Sequence, residues 1–433
     1  VNSSDYPSGK QKSDDPGIFS RVFRALRGRN YRLFFIGQGI SLIGTWMQQV
    51  AMSWLVYSLT SSALWLGIFA FATTICSFIL SPFAGVLVDR LDRHRILVIT
   101  QSLAMVQALI LAAVTLTGTA AVWNLILLSM ALGGINAFDM PTRQAFVIEM
   151  VDKKEDLANA IALNSSLFNS ARLIGPSVAG LLVATIGEGL CFLINGLSFI
   201  AVIACLRAMT ITPRISAARQ PDFFRGMKDG FRYSFGFAPI RYIILLLSYT
   251  SLVAIPYTVL LPVYTKEVLQ GEASTLGFLT AAAGVGALSG AVYLASRKNV
   301  LGLIKIVVAA SLSFGIGLIL LSLSKITWLS LLAMSLAGFG MVVMMAGSNT
   351  FLQSISDDDK RGRVMSIFIM AFMGLTPFGS LLFGGMASVV GASLTLMAGG
   401  LLCLAGAIIF AWRFSGVRNI VHDAYVKKGI IFE

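Results

Sequence analysis

A few polar residues of this chain stand in long apolar stretches, where they could do chemistry. Arg172 lies 14 residues past the start of the apolar run 158–184. At 1.5 Å per residue that is about 21 Å along a helix, beyond the middle of a ~30 Å hydrocarbon core. An ionisable group at such depth is costly and is a functional candidate. Arg172 can present a permanent cation to an anionic or catechol-like substrate, or be satisfied by carbonyls and by amides such as Asn169 or Asn195. Asp139 borders the run 120–140 just before Pro141, which is expected to end that run. It is a doubtful partner for Arg172 by depth, and the leading carboxylate for proton coupling. Gln38, Ser41, Thr45 and Gln48 recur at spacings of three, four and three, on one helical face. Such a stripe must face protein or water, and it is read as cavity lining in preference to helix–helix contact. Tyr249 and Tyr257 flanking Pro256, with Met334, Met341, Met345 and Asn349, offer aromatic and soft surfaces for a bulky amphipathic ligand.

Other chemistries are missing. The chain has no GxxxxGK[ST] phosphate loop, no HExxH and no GxSxG, and both histidines, His94 and His422, fall outside the apolar runs. Its four cysteines, Cys76, Cys191, Cys205 and Cys403, sit inside apolar runs without metal-ligand spacing and read as packing residues. No cofactor, metal or enzymatic activity is expected, and no nucleic-acid partner. A channel would need a repeated pore-lining pattern of charge or carbonyl-rich loops, which is not visible either.

The elements that must position these residues follow from composition. The 433 residues are 56% hydrophobic and only 12% charged, with 41 glycines, whereas a soluble domain is about a quarter charged. A lipid bilayer is therefore the solvent. Apolar runs at 31–58, 64–88, 96–117, 120–140, 158–184, 188–209, 241–266, 273–296, 301–323, 326–350, 363–390 and 391–413 predict twelve membrane-spanning helices. Residues 1–17 are polar and the first apolar run is too long for a signal peptide, so that run is expected to stay as a span. Of the 33 Lys+Arg behind the net charge of +13, 30 fall in the termini and alternate loops; the intervening loops hold only Lys266 and Lys325, and Arg172 is intramembrane. The positive-inside rule then places both termini in the cytoplasm.

The runs divide six and six around residues 210–240, a basic segment with three prolines. This predicts a tail (1–30), a six-helix half (31–209), a cytoplasmic linker (210–240), a second half (241–413) and a tail (414–433). The linker's FFRGMKDGFRYSF and the early FSRVFRALRGR alternate bases with apolar residues, a pattern suited equally to an anionic membrane surface and to solvated loops. An internal repeat supports the division: VDKKEDL leads to LIGPSVAGLL, and SDDDKRGRV leads to LTPFGSLLFGG, with Pro176 and Pro377 about midway in their spans. Repeated halves with interrupted helices are how alternating-access transporters are built.

The loop after the second run, GVLVDRLDRHRIL, resembles the signature of the major facilitator superfamily, G-x3-D-R-x-G-R-K/R. Gly85, Asp89, Arg90 and Arg93 match, whereas Asp92 replaces a glycine and His94 a base. The resemblance implies that Asp89 helps lock the cytoplasmic side shut. A weaker copy lacking the acid follows the eighth run, with Gly290, Leu294, Arg297 and Lys298. Residues 31–210, through FFIGQGISLIGTWMQQVAMSWLVYSLTSSALWLG, DMPTRQAF and LANAIALNSSLFNSARLIGPSVAG, are similar to the bacterial subgroup that includes the enterobactin exporter and macrolide-efflux proteins. In the second half the likeness rests on RGRV at Arg361–Val364. Gly175, Pro176 and Gly180 match most of an exporter signature, with Ala171 and Ala179 replacing two glycines. A helix 4 arginine common in proton-coupled exporters would fall at Ser129.

The resemblance implies a monomeric, multi-pass transporter of the bacterial inner membrane, moving a small amphipathic molecule such as a siderophore or drug outward. An importer on the same scaffold and, further off, a receptor or channel are the competing readings. With no nucleotide motif, an ion gradient is the simplest energy source, protons first. The topology carries its own test. A cysteine placed at position 219 should resist an impermeant label added outside intact cells, while cysteines at 266 and 325 should react; labelling at 219 would invert the assignment.

Overall fold

The computed structural model describes residues 23–151, 153–210, 223–297, 299–357 and 360–428. The side chains of Val86, Asp89, Arg90, Lys154, Phe223–Met227 and Lys427 lie outside that description. Twelve helical spans run in order: α1 (Arg29–Thr60), α2 (Ala63–Arg90), α3 (Arg93–Leu116), α4 (Val122–Met150), α5 (Leu157–Ile186), α6 (Glu188–Arg207), α7 (Ala238–Val253 with Tyr257–Glu267), α8 (Ala273–Ala295), α9 (Leu303–Leu323), α10 (Thr327–Ile355), α11 (Arg361–Gly374 with Thr376–Val390) and α12 (Ala392–Ser415). Among the described residues, eleven of these are long and apolar enough to cross a membrane. The twelfth, α1, has the length, and its glutamines lower its hydropathy.

The fourth span corrects the sequence reading. Pro141 does not end it: α4 continues to Met150, 29 residues in all, because a packed membrane helix can absorb a proline whose lost bond neighbours make good. Arg143, which the sequence reading left in the loop after the fourth run, thus lies within α4. Nor is α5 interrupted at Pro176. The broken spans are α7, at Ala254–Pro256, and α11, at Leu375 ahead of Pro377. At the α11 break the Phe372 carbonyl accepts hydrogen bonds from the hydroxyls of Thr376 (2.9 Å) and Ser251, so side chains replace what the backbone lost.

The halves repeat in backbone detail. Gly187, between α5 and α6, has φ 81°, and Gly391, between α11 and α12, has φ 85°; left-handed φ of this kind suits glycine. The same offset of 204 residues relates Gly180 to Gly384. It pairs Pro176 with Ser380, not with Pro377.

These positions join the halves. Gly180 of α5 lies on Gly277 of α8, and Gly67 of α2 lies on Gly384 of α11. A Cβ at Gly277 would sit 2.5 Å from the Pro176 carbonyl oxygen, and one at Gly67 would sit 2.7 Å from that of Ser380. Both seams lie toward the end of the molecule away from the basic loops. There a single apolar core crosses between the halves, from Met47, Leu55 and Leu66 to Leu260, Leu276 and Phe383. Toward the basic end each half has its own core: Tyr31, Phe34, Phe146 and Leu206 in one, Ile243, Phe351, Ile367 and Phe414 in the other. The buried core thus joins the halves at one end and is separate in each half toward the basic loops.

The linker helix Phe223–Gly236 packs on the second half at that basic end. Gly230 lies against Arg363 and Ile367, Asp229 pairs with Arg363 at 3.7 Å, and the Tyr233 ring stacks under Lys360 at 4.6 Å. A hydrogen bond from the Tyr233 hydroxyl, with Lys360 and Lys428 nearby, holds the Asp357 carboxyl below the usual range against the opposing effect of its slight burial. Residues 211–222 of the predicted linker, with 1–22 and 429–433, lie outside the described residues.

Because the Gly277 seam is backbone against backbone, neither side can rotate away from an added side chain. Gly277→Val should cost about 1–3 kcal/mol by overpacking and lower the melting temperature of the purified protein by roughly 5 °C. Unchanged melting would show that the seam does not bear on stability.

Candidate functional site

The expected cavity stripe of α1 is largely a helix–helix seam, which corrects the sequence reading. Gln38, Ser41 and Gln48 are 2–3% exposed. Gln48 accepts from Asn195 of α6 at 2.7 Å and donates to Gln107 of α3 at 3.0 Å, and Gln107 donates in turn to the Leu128 carbonyl of α4 at 3.2 Å. This polar chain ties four helices of the first half together, as intramembrane amides do. Thr45 is half-buried and returns its hydroxyl to the Ser41 carbonyl at 2.9 Å. Gln38 keeps an unpartnered, buried Nε2 among the described residues. The exposed amide is Gln49, four residues from both Thr45 and Ser53 on one helical line. Sequence reasoning missed it because Gln49 breaks the three-four spacing.

Arg172 sits mid-way along α5, half-buried, with its guanidinium 5.8 Å from the centroid of the Trp46 ring of α1. Phe168 meets Trp46 edge-on at 5.8 Å. Tyr257, at the restart of α7, is 4% exposed, packs edge-on against Phe314 at 5.9 Å and lies within the electrostatic reach of Arg172. The backbone of α5 at Arg172 and Leu173 touches Gly284 of α8. Three elements from both halves thus meet at Arg172, close to where the shared core begins. Neither amide offered as an alternative partner bonds Arg172: Asn169 donates to the Ser165 carbonyl at 2.8 Å and Asn195 to Gln48.

Asp139 is 2% exposed and its carboxylate is fully employed. It pairs with Arg143 one turn on in α4, and accepts from Thr100 (2.9 Å) and Gln101 (2.7 Å) of α3. Tyr249 is not free to line a cavity: it donates to the Leu402 carbonyl of α12 at 3.0 Å and packs on Gly406. Met341, Met345 and Asn349 follow one line of α10, all half-buried, and continue to exposed Gln353, which donates to Asn349. Met334, at 0%, is core.

At the basic end, Gly85 has open space where a Cβ would go, so the close helix approach that its motif suggests is absent in this conformation. The Asp89 and Arg90 side chains are outside the described ones. Arg93 pairs with Glu149 of α4 at 2.7 Å, within its own half. The two departures from the family pattern have local reasons. Asp92 caps α3 by accepting from the His94 (2.9 Å) and Arg95 (3.3 Å) amides, and His94 Nε2 meets the Leu206 carbonyl at the end of α6 at 2.8 Å. Gly175 is packed on Trp46 and the Ile43 carbonyl of α1, while Pro176 and Gly180 form the α8 seam.

A family model described as transmembrane secretion effector matches residues 20–421. The chain belongs to this family of major facilitator superfamily transporters. It is not an enzyme. It is similar to the staphyloferrin A transporter of Staphylococcus aureus (strain NCTC 8325 / PS 47), at 28% identity over 88% of this chain and 95% of the relative. It is 25% identical to the multidrug efflux pump Tap of Mycolicibacterium fortuitum, over 84% and 88%, and 24% identical to macrolide efflux protein A of Streptococcus pyogenes, over 88% and 96%. In fold it matches a bacterial homologue of the lysosomal transporter Spinster (TM-score 0.70, 13% identity, 90% of this chain and 97% of that one). A bacterial homologue of the iron transporter ferroportin gives TM-score 0.67, 18% identity, 89% and 98%. The superfamily transporter is thus a multi-pass membrane protein handling small molecules.

The Asp139–Arg143 pair yields a stability test. Removing one partner of a buried ion pair leaves the other uncompensated, at about 3 kcal/mol or more. Asp139→Asn should therefore lower the melting temperature clearly, and adding Arg143→Gln should recover part of the loss. If the double variant is no better than the single one, the pair does not act as a unit.

Proposed function

We propose that the protein exports a small amphipathic molecule from the bacterial cytoplasm across the inner membrane, by alternating access driven by an ion gradient, most simply of protons. The single observation that carries this reading is the distribution of the buried core, joined across the halves at one end and separate at the other. The shared core is taken to seal one end, and the separate cores to leave the end with the basic loops open. With those loops on the cytoplasmic side by the positive-inside rule, the conformation is one that receives substrate from the cell interior. Export is further supported by Gly175, Pro176 and Gly180 packing at the seams, and by two relatives named for efflux.

In this reading the gap between the halves is the substrate path, bordered by Gln49 and Thr45 of α1, Arg172 of α5, Tyr257 of α7 and the Met341, Met345, Asn349 line of α10. Gly85, Asp89, Arg90 and Arg93 form the lock that closes the cytoplasmic side: Gly85 has vacant space awaiting the partner helix, and Arg93 is held ready by Glu149. Asp139 is the coupling carboxylate. A proton arriving there would release Arg143, Thr100 and Gln101 together, changing how α3 and α4 are joined. The protein acts as a monomer, since the gap lies inside one chain.

The reading is tested in proteoliposomes with an imposed pH gradient. Substrate should move uphill against the proton flow, and a protonophore should abolish the movement. Asp89→Asn should insert normally and transport far more slowly, and Asp139→Asn should lose uphill transport while sparing downhill exchange. Uphill transport by Asp139→Asn vesicles would remove the coupling assignment, and transport indifferent to every ion gradient would remove the mechanism.

A further inference from the structure

We infer that Arg172, with Trp46, forms the head-group site for an organic anion, a carboxylate or catecholate carrying apolar or aromatic bulk. This rests on the transport reading and names its substrate class. The argument begins with an imbalance of donors. Arg172 carries five N–H donors and no acceptor. Among the described residues its side chain makes no ion pair and no hydrogen bond, only the approach to Trp46.

Three carboxylates of the spans, Asp139, Glu149 and Glu267, are held by other groups. Asp139 is held by Arg143, Thr100 and Gln101. Glu149 holds Arg93. Glu267, at the far end of α7, accepts from the Tyr57 hydroxyl at 2.8 Å. Asn169 and Asn195 bond the Ser165 carbonyl and Gln48. A permanent cation near the middle of a membrane helix is thus left without an ion pair or a hydrogen bond among the described residues. A bound anion would supply the missing charge, and a planar carboxylate or a catecholate's paired oxygens match the guanidinium fork.

The surroundings choose the rest of the ligand. The Trp46 and Phe168 rings, edge to face at 5.8 Å, lie on the α1 and α5 side of the guanidinium, and the half-buried Met341 and Met345 border the gap on α10. A small inorganic anion would leave these surfaces without contact. An amphipathic anion would cover them. A cationic dye would meet Arg172 as a like charge in a medium of low dielectric.

The probes are 2-naphthoate and its neutral analogue 2-naphthamide, measured by calorimetry on the purified full-length protein. Wild type should bind the naphthoate about tenfold more tightly or better, the scale of a charge-assisted hydrogen-bonded pair. Arg172→Gln should reduce that preference to about twofold or less, while Arg172→Lys, which keeps the charge without the fork, should keep a reduced preference. Equal affinity of the two probes for wild type, or an undiminished preference in Arg172→Gln, overturns the inference. Should either variant fold poorly, the wild-type comparison still decides it. The transport reading fails separately: naphthoate bound through Arg172 but never moved by any gradient would sink that reading and uphold the site. Gradient-driven movement of naphthamide without anion preference would do the reverse.

Discussion

The architecture depends on two places where backbone meets backbone across the halves, Gly180 on Gly277 and Gly67 on Gly384. In lipid no hydrophobic effect presses one helix on another, so association rests on close packing and polar contacts. Glycine supplies the closeness, and the repeat supplies it twice at equivalent positions. Around these two crossings a common apolar core fills in, and the Tyr57 to Glu267 hydrogen bond adds a polar contact between α1 and α7 at the same end. Two crossings near one end make a pivot, because the other end can open without breaking either.

A pivot is useful only if each half moves as a body, and the polar bonds of this chain are spent mostly on that. Gln48, Gln107 and Asn195 fasten α1, α3 and α6. Asp139 fastens α4 to α3, Arg93 and Glu149 repeat the connection nearer the basic end, and His94 ties α3 to the close of α6. In the second half Tyr264 gathers the end of α7, the α9–α10 turn and Ser330 through bonds of 2.7–2.9 Å, and the linker helix and Lys428 close over α10 and α11. The departure of the signature loop from its family pattern fits this division of labour, since Asp92 and His94 serve the internal order of the first half.

The spans, their sixfold halves and the tight packing around Gly175, Pro176 and Gly180 were legible in the sequence, because bilayer thickness and helical rise turn composition directly into length. What was not legible was which neighbour a polar face would meet. The α1 stripe was correctly read as facing protein or water, but its partners Gln107 and Asn195 lie 59 and 147 residues away along the chain, and no local spacing announces them. Pro141 misled for a related reason. Whether a proline ends a membrane helix depends on the helices beside it, so its local rule is weak there, while Pro377, itself buried, did break α11 where Ser251 and Thr376 take up the freed Phe372 carbonyl. The partners of the pivot, Gly67, Gly277 and Gly384, were hidden among 41 glycines; only the fold singles them out.

Two arginines of the first half, Arg143 and Arg172, constrain how substrate and proton could be linked. The simplest antiport has both compete for one charged group. Here the carboxylate and the free cation are separate: Asp139 is saturated by Arg143 and two donors on α3, whereas Arg172 on α5 has no carboxylate partner among the described residues. A proton on Asp139 would loosen α4 from α3 and leave the charge at Arg172 unchanged. An anion on Arg172 would neutralise the guanidinium and leave Asp139 paired. Any coupling between them must then travel through the packing of the first half, by altering how readily it tilts on the two glycine crossings. On the proposed coupling, the rigidity of the Gln48 network would be part of the path, although none of its members need touch either ligand.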